Sequence, residues 1–268
     1  MKVLGLFSGI GGFELGLQRA GFEISAMCEI DPFCRRVLAK HWPGVPIYED
    51  VRELTGERLA ADGISVDVIC GGFPCQDISG AGRKIGIGGS RSGLWADYLR
   101  LIRDVRPKFA IVENVSDLLV RGIDRVLGDL AEIGLDAEWH AIPACTLGAP
   151  HERDRIWIIA HPQGQSRRRG MGQGSRQKSQ GGEFEESSLA YAPPLLRRSF
   201  IREQQDRALR SHWWRHWRDY AASLRGMDDG VRGRVDGLSA LGNAVVPQIP
   251  ELIGRAIKEA HSTNGAVE

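Results

Sequence analysis

Residues 2–29 read KVLGLFSGIGGFELGLQRAGFEISAMCE, and this stretch decides the fold. Residues 2–7 form a short apolar run that ends in a glycine-rich turn, as a buried strand does. Residues 13–20 repeat apolar side chains at helical spacing, which predicts a helix with one buried face. Residues 23–29 are a second predicted strand. A strand, a helix and a strand in this order predict a sheet that is covered by helices.

The same alternation of strand and helix continues to about residue 160. Further short, β-rich runs lie at 66–70, 109–113 and 156–160. Leu94–Val105 is a predicted helix, and another is expected from Pro247 to about residue 260. We therefore expect an α/β fold with a mostly parallel sheet and helices on both faces.

Length and composition exclude several classes of protein. The chain has 268 residues, of which 42% are hydrophobic, enough for one sizeable core and a small second lobe. No apolar run approaches the roughly 18 residues of a membrane span, and the N-terminus has no signal-peptide pattern. The five cysteines are odd in number and include no CxxC pair. A reduced, cytoplasmic protein without a membrane anchor, a metal site or a disulfide framework is expected.

Charge divides the chain into three parts. Residues 1–162 hold 18 basic and 22 acidic side chains, a net charge of −4, whereas residues 163–225 hold 13 and 6, a net charge of +7. Residues 226–268 return to a net charge of −2. One basic block is expected if this part alone meets phosphate, and a solvated arginine-rich loop is the alternative. Within the block, residues 163–182 contain one large apolar side chain, Met171, and are a predicted mobile loop.

The turn FSGIGGF at residues 7–13 predicts a nucleoside site. Glycines at a strand-to-helix turn let the backbone approach a ligand closely, and the helix N-terminus offers unpaired N–H groups. Glu29 comes 20 residues after Gly9, at the end of the next strand. An acid there binds ribose hydroxyls in such folds. The glycines at 9, 11 and 12 break the GxGxxG spacing, so the pattern does not predict NAD.

The segment GGFPCQDIS at residues 71–79 predicts the reactive centre. It follows a predicted strand and therefore lies at the carboxyl edge of the sheet, where open α/β folds bind ligands. Cys75 stands after Pro74 in a glycine-rich loop, and a thiol in such a setting is a candidate nucleophile. The other four cysteines lie in strand-like or helix-like contexts or beside Pro143, and are predicted to be structural.

Two further motifs are expected in the same crevice. Glu113 and Asn114 close a predicted strand, and Arg153 and Arg155 precede another. In an extended segment, residues two apart point to the same side. Each guanidinium is a fork that can bind a phosphate or polarise a base. A surface salt bridge is the alternative for each motif alone, but three loops that converge on one edge favour an active site.

Together these motifs resemble those of the C5-cytosine DNA methyltransferases, in that family's order. FSGIGGF resembles the first motif and GGFPCQDIS the Pro-Cys nucleophile loop. Glu29 and Asp50 resemble the second and third acids, and Glu113-Asn-Val resembles the ENV motif. Arg153-Asp-Arg155 resembles the paired arginines, and LGNAVVP at residues 241–247 resembles the last motif, which completes the cofactor pocket.

The resemblance covers residues 1–160 and roughly 225–260, and it implies a Rossmann-like S-adenosylmethionine-dependent methyltransferase fold with a small target-recognition lobe. It implies a catalytic and cofactor-binding domain at 1–162, a target-recognition region at 163–225 and a C-terminal segment at 226–268 that returns to the catalytic domain. The implied methyl donor is S-adenosyl-L-methionine, and no metal is implied. Residues implied to bind the donor are Phe7, Ser8, Gly9, Gly11, Gly12, Glu29, Ile30, Asp50, Val51, Asn243 and Ala244.

The implied reaction is methylation of carbon 5 of a flipped cytosine in duplex DNA through a covalent Cys75 adduct. By the same resemblance, Glu113 holds the base at N3 and at its amine. Arg155, with Arg153, braces the base carbonyl and the Cys75 loop. Residues implied to contact the DNA substrate are Gln76, Ser79 and Asn114.

Three features depart from the family's pattern. His151 stands where a glutamine is usual, the ninth motif is poorly matched around residues 225–234, and the recognition region is short. We still expect residues 163–225 to contact DNA, through their basic excess and three tryptophans: Trp213, Trp214 and Trp217.

The wider expectation is a monomeric enzyme whose partner is double-stranded DNA. A cognate restriction endonuclease encoded elsewhere would be a further partner in a restriction-modification system. Two alternatives stay open: a transfer RNA cytosine methyltransferase of the same fold, and a non-catalytic DNA-binding relative.

Overall fold

The computed structural model describes residues 1–74, 93–147, 149, 153–163 and 242–264. Its strands are β1 Lys2–Leu6, β2 Glu23–Cys28, β3 Ile47–Tyr48, β4 Val68–Gly72, β5 Phe109–Val115, β6 Leu135–Pro143 and β7 Asp154–Pro162. They form one sheet in the order β3-β2-β1-β4-β5-β7-β6. The helices are α1 Gly12–Arg19, α2 Pro32–His41, α3 Gly56–Ala61, α4 Leu94–Val105, α5 Leu118–Arg121, α6 Ile123–Glu132 and α7 Gln248–Asn264, with a 3-10 helix at Ala144–Leu147.

The sheet is parallel from β3 to β5, and β7 runs antiparallel to both β5 and β6. The expected α/β fold with a mostly parallel sheet is therefore confirmed. Strand β6 was not predicted from the sequence. Only its two ends are apolar and buried, and Asp136, Glu138 and His140 interrupt the pattern between them. Since β6 pairs with β7 alone at the edge of the sheet, it does not need the apolar composition of an interior strand.

Alternate residues of each inner strand feed two separate cores. In β4, Val68 and Cys70 face one core while Ile69 faces the other. Helices α1, α2 and α7 cover the first core, and α3 to α6 cover the second. The period of two along a strand thus buries both faces of the sheet, as predicted.

Strand β4 begins two residues later than predicted and extends into the glycine pair of the GGFPC segment. Just before the strand, the Asp67 carboxylate accepts a 2.8 Å hydrogen bond from the Lys2 N–H and pairs with Lys108 at 2.9 Å. Position 71 requires glycine, because a Cβ there would overlap the Leu6 carbonyl oxygen of β1. The shift brings the end of β4 closer to Pro74.

Helix α7 begins directly after Pro247, as predicted, and packs on α1. The approach is close, because a Cβ on Gly254 would lie 2.8 Å from the Ala20 Cβ. The C-terminal helix thereby joins the same core as the N-terminal strand. Across the described ranges, no helix combines the length and the apolar character that a membrane crossing requires.

Candidate active site

A cavity of about 620 Å³ opens at the carboxyl edge of the parallel strands. It lies where the strand order reverses between β1 and β4, the position at which open α/β sheets bind ligands. Because β7 runs antiparallel to β5, its first residues reach the same edge, with Arg155 opposite Val115. The sequence-predicted residues that line this cavity are Phe7, Gly9, Glu29, Ile30, Asp50, Val51, Glu113, Asn114, Arg153, Arg155 and Asn243.

Glu29 ties the turn after β1 to the end of β2. Its Oε2 accepts a 2.6 Å hydrogen bond from the Gly9 N–H, and its Oε1 accepts a 2.8 Å bond from the Asp31 N–H. The side chain is largely buried but still borders the cavity. Each carboxylate oxygen has two lone pairs, so both oxygens keep acceptor capacity for a ligand. Glu29 therefore shapes the turn as well as facing the cavity.

The turn itself presents one ring and one open space. Phe7 has a left-handed backbone, with φ 54°, which costs a non-glycine residue about 1–2 kcal/mol. Its ring stacks on Tyr98 with the centroids 6.3 Å apart. Gly9 is also left-handed, with φ 55°. Apart from its chain neighbours, no atom of the described residues lies within 4 Å of the place where its Cβ would be, so a ligand can approach this backbone closely.

The other predicted residues of the turn do not face this cavity. Gly11, Gly12 and Ala244 border a second cavity of about 380 Å³. A Cβ on Gly11 would overlap the Trp42 ring, and one on Gly12 would overlap the Val245 carbonyl oxygen. These two glycines are therefore required by packing against the end of α2 and against the C-terminal segment.

Ser8 is also buried, and it lines neither cavity. Its hydroxyl oxygen and the Glu14 carboxyl crowd the same place, the position that a Cβ on Gly5 would take. Ser8 and Glu14 thus pack against Gly5 of β1, beneath the surface of the turn.

Asp50 lines the cavity but is already engaged. The Arg52 backbone N–H and its guanidinium donate four hydrogen bonds to the Asp50 carboxylate, and these bonds lower its pKa. Arg100 of α4 fixes the next part of the loop through its bonds to the Val51 carbonyl at 2.9 Å and the Leu54 carbonyl at 2.8 Å. Asp50 can bind a ligand only when Arg52 turns away, because a carboxylate has about four lone-pair sites.

Glu113 and Arg155 form an ion pair at the opposite end of the cavity. Arg155 Nε lies 3.0 Å from Glu113 Oε1. Burial raises the pKa of Glu113, and the charges of Arg155 and Arg153 offset part of that rise. A Cβ on Gly72 would lie 2.5 Å from Glu113 Oε2, so the glycine makes room for this carboxyl group. Glu113 keeps its proton to a higher pH than an ordinary glutamate and can donate it in a hydrogen bond.

The expectation that Arg153 and Arg155 leave an extended segment on the same side is wrong. Arg153 has φ 40°, a left-handed conformation that breaks the alternation of a strand. Its guanidinium donates to the Gly242 and Ala244 carbonyls, each at 2.8 Å. Burial, followed by the charge of Arg155, lowers the pKa of Arg153. Both arginines line the cavity, but only Arg155 is paired with Glu113.

Asn114 holds the backbone at the exit of β4. Its Nδ2 donates a 3.2 Å hydrogen bond to the Phe73 carbonyl, and its Oδ1 accepts from the Val115 N–H at 2.9 Å. Pro74, the next residue after Phe73, lines the cavity. Several predicted residues lie outside the described ones: Cys75, Gln76, Ser79, His151, the tryptophans at 213, 214 and 217, and the recognition region beyond Gln163.

Three of the other cysteines are buried, as a structural role predicts. Burial raises the pKa of Cys28 to about 12 and that of Cys34 to about 11, and complete burial raises the pKa of Cys70 well above its usual value. Cys28 and Cys34 border the cavity, but thiols with such pKa values hold almost no thiolate at neutral pH. Cys145 differs, since its side chain is exposed in the 3-10 helix.

Sequence reasoning missed four charged residues of the cavity: Asp31, Glu49, Arg52 and Asp97. Three of them stand within two residues of a predicted acid, so their position along the chain was a usable signal. Together with Glu29 and Asp50 they make the end near β2 and β3 mainly acidic, whereas two arginines lie at the β7 end. Within the part of the chain that the structure describes, no three His, Cys, Asp or Glu side chains are grouped to hold a metal ion.

Comparison with known proteins adds an independent finding. Residues 1–214 match the family model of C-5 cytosine-specific DNA methylases. Over 168 residues the chain is 39% identical to Type II methyltransferase M2.BsuMI of Bacillus subtilis (strain 168), a match that covers 60% of this chain and 42% of that protein. It is 34% identical over 163 residues to Type II methyltransferase M.FnuDI of Fusobacterium nucleatum, covering 59% of this chain and 46% of that protein.

A solved structure also resembles the fold. An E. coli protein described as a DNA modification methyltransferase encoded within a prophage has a TM-score of 0.52 and 29% identity, over 60% of this chain and 47% of that one. The chain spans about half the length of these relatives.

Proposed function

This chain belongs to the C-5 cytosine-specific DNA methylase family, and on that premise we propose that it transfers a methyl group from S-adenosyl-L-methionine to carbon 5 of cytosine in duplex DNA. One observation carries the proposal: a single cavity joins an acidic half, which we assign to the donor, and the Glu113–Arg155 pair, which we assign to the base. Group transfer requires adjacent sites of this kind, because the reacting atoms must meet at about 3–3.5 Å.

The residues of the acidic half fit the donor. Glu29 has free lone pairs for ribose hydroxyls, Phe7 presents an aromatic ring for the adenine, and the open space at Gly9 admits the methionine moiety. When it is bound, the sulfonium supplies an electrophilic methyl group. The cavity is also lined by Ile30, Val51 and Asn243. Four further predicted residues do not line this cavity and support its wall through packing: Ser8, Gly11, Gly12 and Ala244. Asp50 binds the adenine amine once Arg52 no longer donates to its carboxylate.

At the other half, Glu113 receives the flipped cytosine. Flipping costs a few kcal/mol because the base must leave its stack. Glu113 holds N3 and the exocyclic amine, and its raised pKa lets it supply a proton to N3 as negative charge builds on the ring. Arg155, 3.0 Å away, orients this carboxyl group and stabilises charge at the base carbonyl.

We assign the nucleophile to Cys75. Pro74, the preceding residue, lines the same cavity as Glu113, and the Asn114 side chain bonds the carbonyl of Phe73, one residue earlier. The buried cysteines near the cavity are poor candidates because their pKa values are raised. The Cys75 thiolate adds to carbon 6, which makes carbon 5 electron-rich enough to take the methyl group. A base then removes the carbon-5 proton, and the thiolate is expelled as the double bond re-forms.

The substrate assignment extends to the rest of the chain. We propose that 1–162 is the catalytic domain, that 163–225 reads and grips the DNA, and that 226–268 completes the catalytic domain. The net charge of +7 over 163–225 supports phosphate contacts and predicts affinity that falls steeply with salt. Gln76 and Ser79 contact DNA near the flipped base. We place the enzyme in the cytoplasm as a monomer, with a cognate restriction endonuclease as a further partner.

Bisulfite sequencing of DNA from cells that express the chain tests the proposal and identifies the methylated site. An oligonucleotide that carries 5-fluorocytosine at this site should then form a denaturation-resistant adduct in the presence of S-adenosylmethionine, since fluorine cannot leave as a cation. Cys75→Ser is the matched control and should form none. A folded, donor-binding protein that neither methylates DNA nor forms the adduct would contradict the proposal.

A tritium-transfer assay separates the alternatives. The methyl group of labelled S-adenosylmethionine should pass to duplex DNA and not to transfer RNA. Transfer to RNA alone would identify the RNA enzyme, and DNA binding without transfer to either would identify a non-catalytic relative.

A further inference from the structure

Arg153 joins the start of β7 to a segment far along the chain. Its two guanidinium nitrogens reach the Gly242 and Ala244 carbonyls, 89 and 91 residues away, each at 2.8 Å. Asn243, the residue between these carbonyls, lines the cavity. We propose that Arg153 is a positioning residue, which holds residues 242–244 so that Asn243 completes the wall of the donor site. The role in donor binding rests on the function proposed above.

The geometry suits a guanidinium. An arginine presents several N–H donors in a rigid planar fork, so one side chain can satisfy two carbonyls at once. A lysine in the same place has one compact ammonium group and reaches them less well. Bonds from a charged donor are also stronger than neutral ones. We call these two bonds from Arg153 to the Gly242 and Ala244 carbonyls the clasp. Arg153 suits this role better than contact with a base, for which it would have to break both bonds.

The backbone of Arg153 points to the same role. Its left-handed φ of 40° is unfavourable for a non-glycine residue, so surrounding contacts must hold it. This turn directs the side chain to residues 242–244, while Arg155 turns to Glu113. The two arginines stand two positions apart. One segment of chain thus holds both the donor wall and the base-binding carboxyl group.

The glycines of α1 provide a second contact with the C-terminal segment. Neither Gly12 nor Gly16 could carry a Cβ, because the Val245 and Pro247 carbonyl oxygens occupy those positions. The segment is therefore seated on α1 from one side, and Arg153 fastens its cavity end from the other. Without Arg153, we expect residues 245–247 to stay on α1 while residues 242–244 loosen.

Hydrogen–deuterium exchange of the free protein tests the clasp directly. Arg153→Ala should raise amide exchange at residues 242–244 at least about fivefold, because the backbone opens more often once the guanidinium no longer holds it. Arg153→Gly relaxes the left-handed backbone while removing the same guanidinium, so it should fold readily and show the same increase. Arg52→Ala, which removes another arginine of the cavity, is the matched control and should leave these residues unchanged. Unchanged exchange in both Arg153 variants overturns the proposal.

Calorimetry with S-adenosylhomocysteine tests the consequence for the donor site. Arg153→Ala should raise the Kd about tenfold and Arg153→Lys should raise it less. Combining Arg153→Ala with Asn243→Ala should cost less than the sum of the two single effects, because Arg153 acts through the placement of Asn243. An affinity within twofold of the wild type, or strict additivity, contradicts the proposed role.

Turnover measurements separate positioning from catalysis. Arg153→Ala should mainly raise KM for S-adenosylmethionine, whereas Arg155→Ala should mainly lower kcat. A fall in kcat alone for Arg153→Ala overturns the assignment. If the wild type binds S-adenosylhomocysteine but does not methylate DNA, the proposed function fails while the binding and exchange results still judge the clasp. If the wild type does not bind it, the donor assignment fails and exchange alone judges the clasp.

Discussion

Glu14 allows a prediction whose size follows from the structure. Its side chain lies in the first turn of α1, has no exposure to solvent and crowds Gly5 of β1. Burial raises its pKa from 4.5 to about 7; Ser8 lowers the value in part, and the charge of Glu29 adds to the rise. Among the described residues, Cys70 of β4 also interacts with the charge of Glu14. The fold therefore prefers Glu14 in its protonated form.

The raised pKa makes stability depend on pH. Below about pH 4.5 the carboxyl is protonated in both states, so the full stability is present. Between about pH 4.5 and 7 only the unfolded chain loses the proton, and the free energy of unfolding decreases as pH rises. A difference of about 2.5 pKa units at 1.36 kcal/mol per unit amounts to about 3 kcal/mol lost by pH 7. Above pH 7 this contribution is constant.

Glu14→Gln keeps the shape of the side chain and removes its titration. Urea unfolding followed by tryptophan fluorescence, measured at several values between pH 5 and 7.5, gives the free energy of unfolding for each protein. The difference between variant and wild type should shift in favour of the variant by about 2 kcal/mol between pH 5 and 7.5, because the remainder of the effect lies below pH 5. Glu132→Gln, at an exposed position of α6, controls for the loss of one carboxyl group. A Glu14→Gln difference that does not change with pH would refute the reasoning.

Four further substitutions test the site. Gly12→Ala should destabilise the protein by about 1–3 kcal/mol in urea, since its Cβ meets the Val245 carbonyl; unchanged stability would deny that packing role. Glu29→Ala should weaken S-adenosylhomocysteine binding at least about tenfold by calorimetry, because a charged acceptor is lost, whereas DNA binding should hardly change. Cys75→Ser should abolish methylation and keep donor affinity, because a hydroxyl scarcely ionises; near-normal turnover would remove Cys75 from the nucleophile role. Wild-type turnover should fall as pH rises through the raised pKa of Glu113, because the carboxyl then loses the proton that it supplies. Glu113→Gln should lose this pH dependence and about a hundredfold in rate. An unchanged pH profile in the variant would count against proton donation by Glu113.

Local sequence patterns were sufficient to predict which strands end at the candidate active site. The carboxyl ends of parallel strands share one edge, so residues that follow predicted strands were expected to converge. Phe7, Glu29 and Glu113 do line one cavity. Their chemical roles stay predictions. Where an element was predicted, its bounds shift by only a few residues, as for β4.

The sequence by itself determined the α/β fold and the edge of the sheet at which the motifs meet, because the periods of helix and strand are local properties. It indicated the family through the resemblance of its motifs and their order. Only the tertiary structure decided the partner of each motif residue. Gly12 leaves room for the Val245 carbonyl of the C-terminal segment. Arg52 donates hydrogen bonds to the Asp50 carboxylate, and Arg153 donates to carbonyls of residues 242–244. A period tells which face a side chain takes, but not which distant segment packs there. Charge state follows the same rule, since the pKa of Glu14 is set by burial that many elements create together.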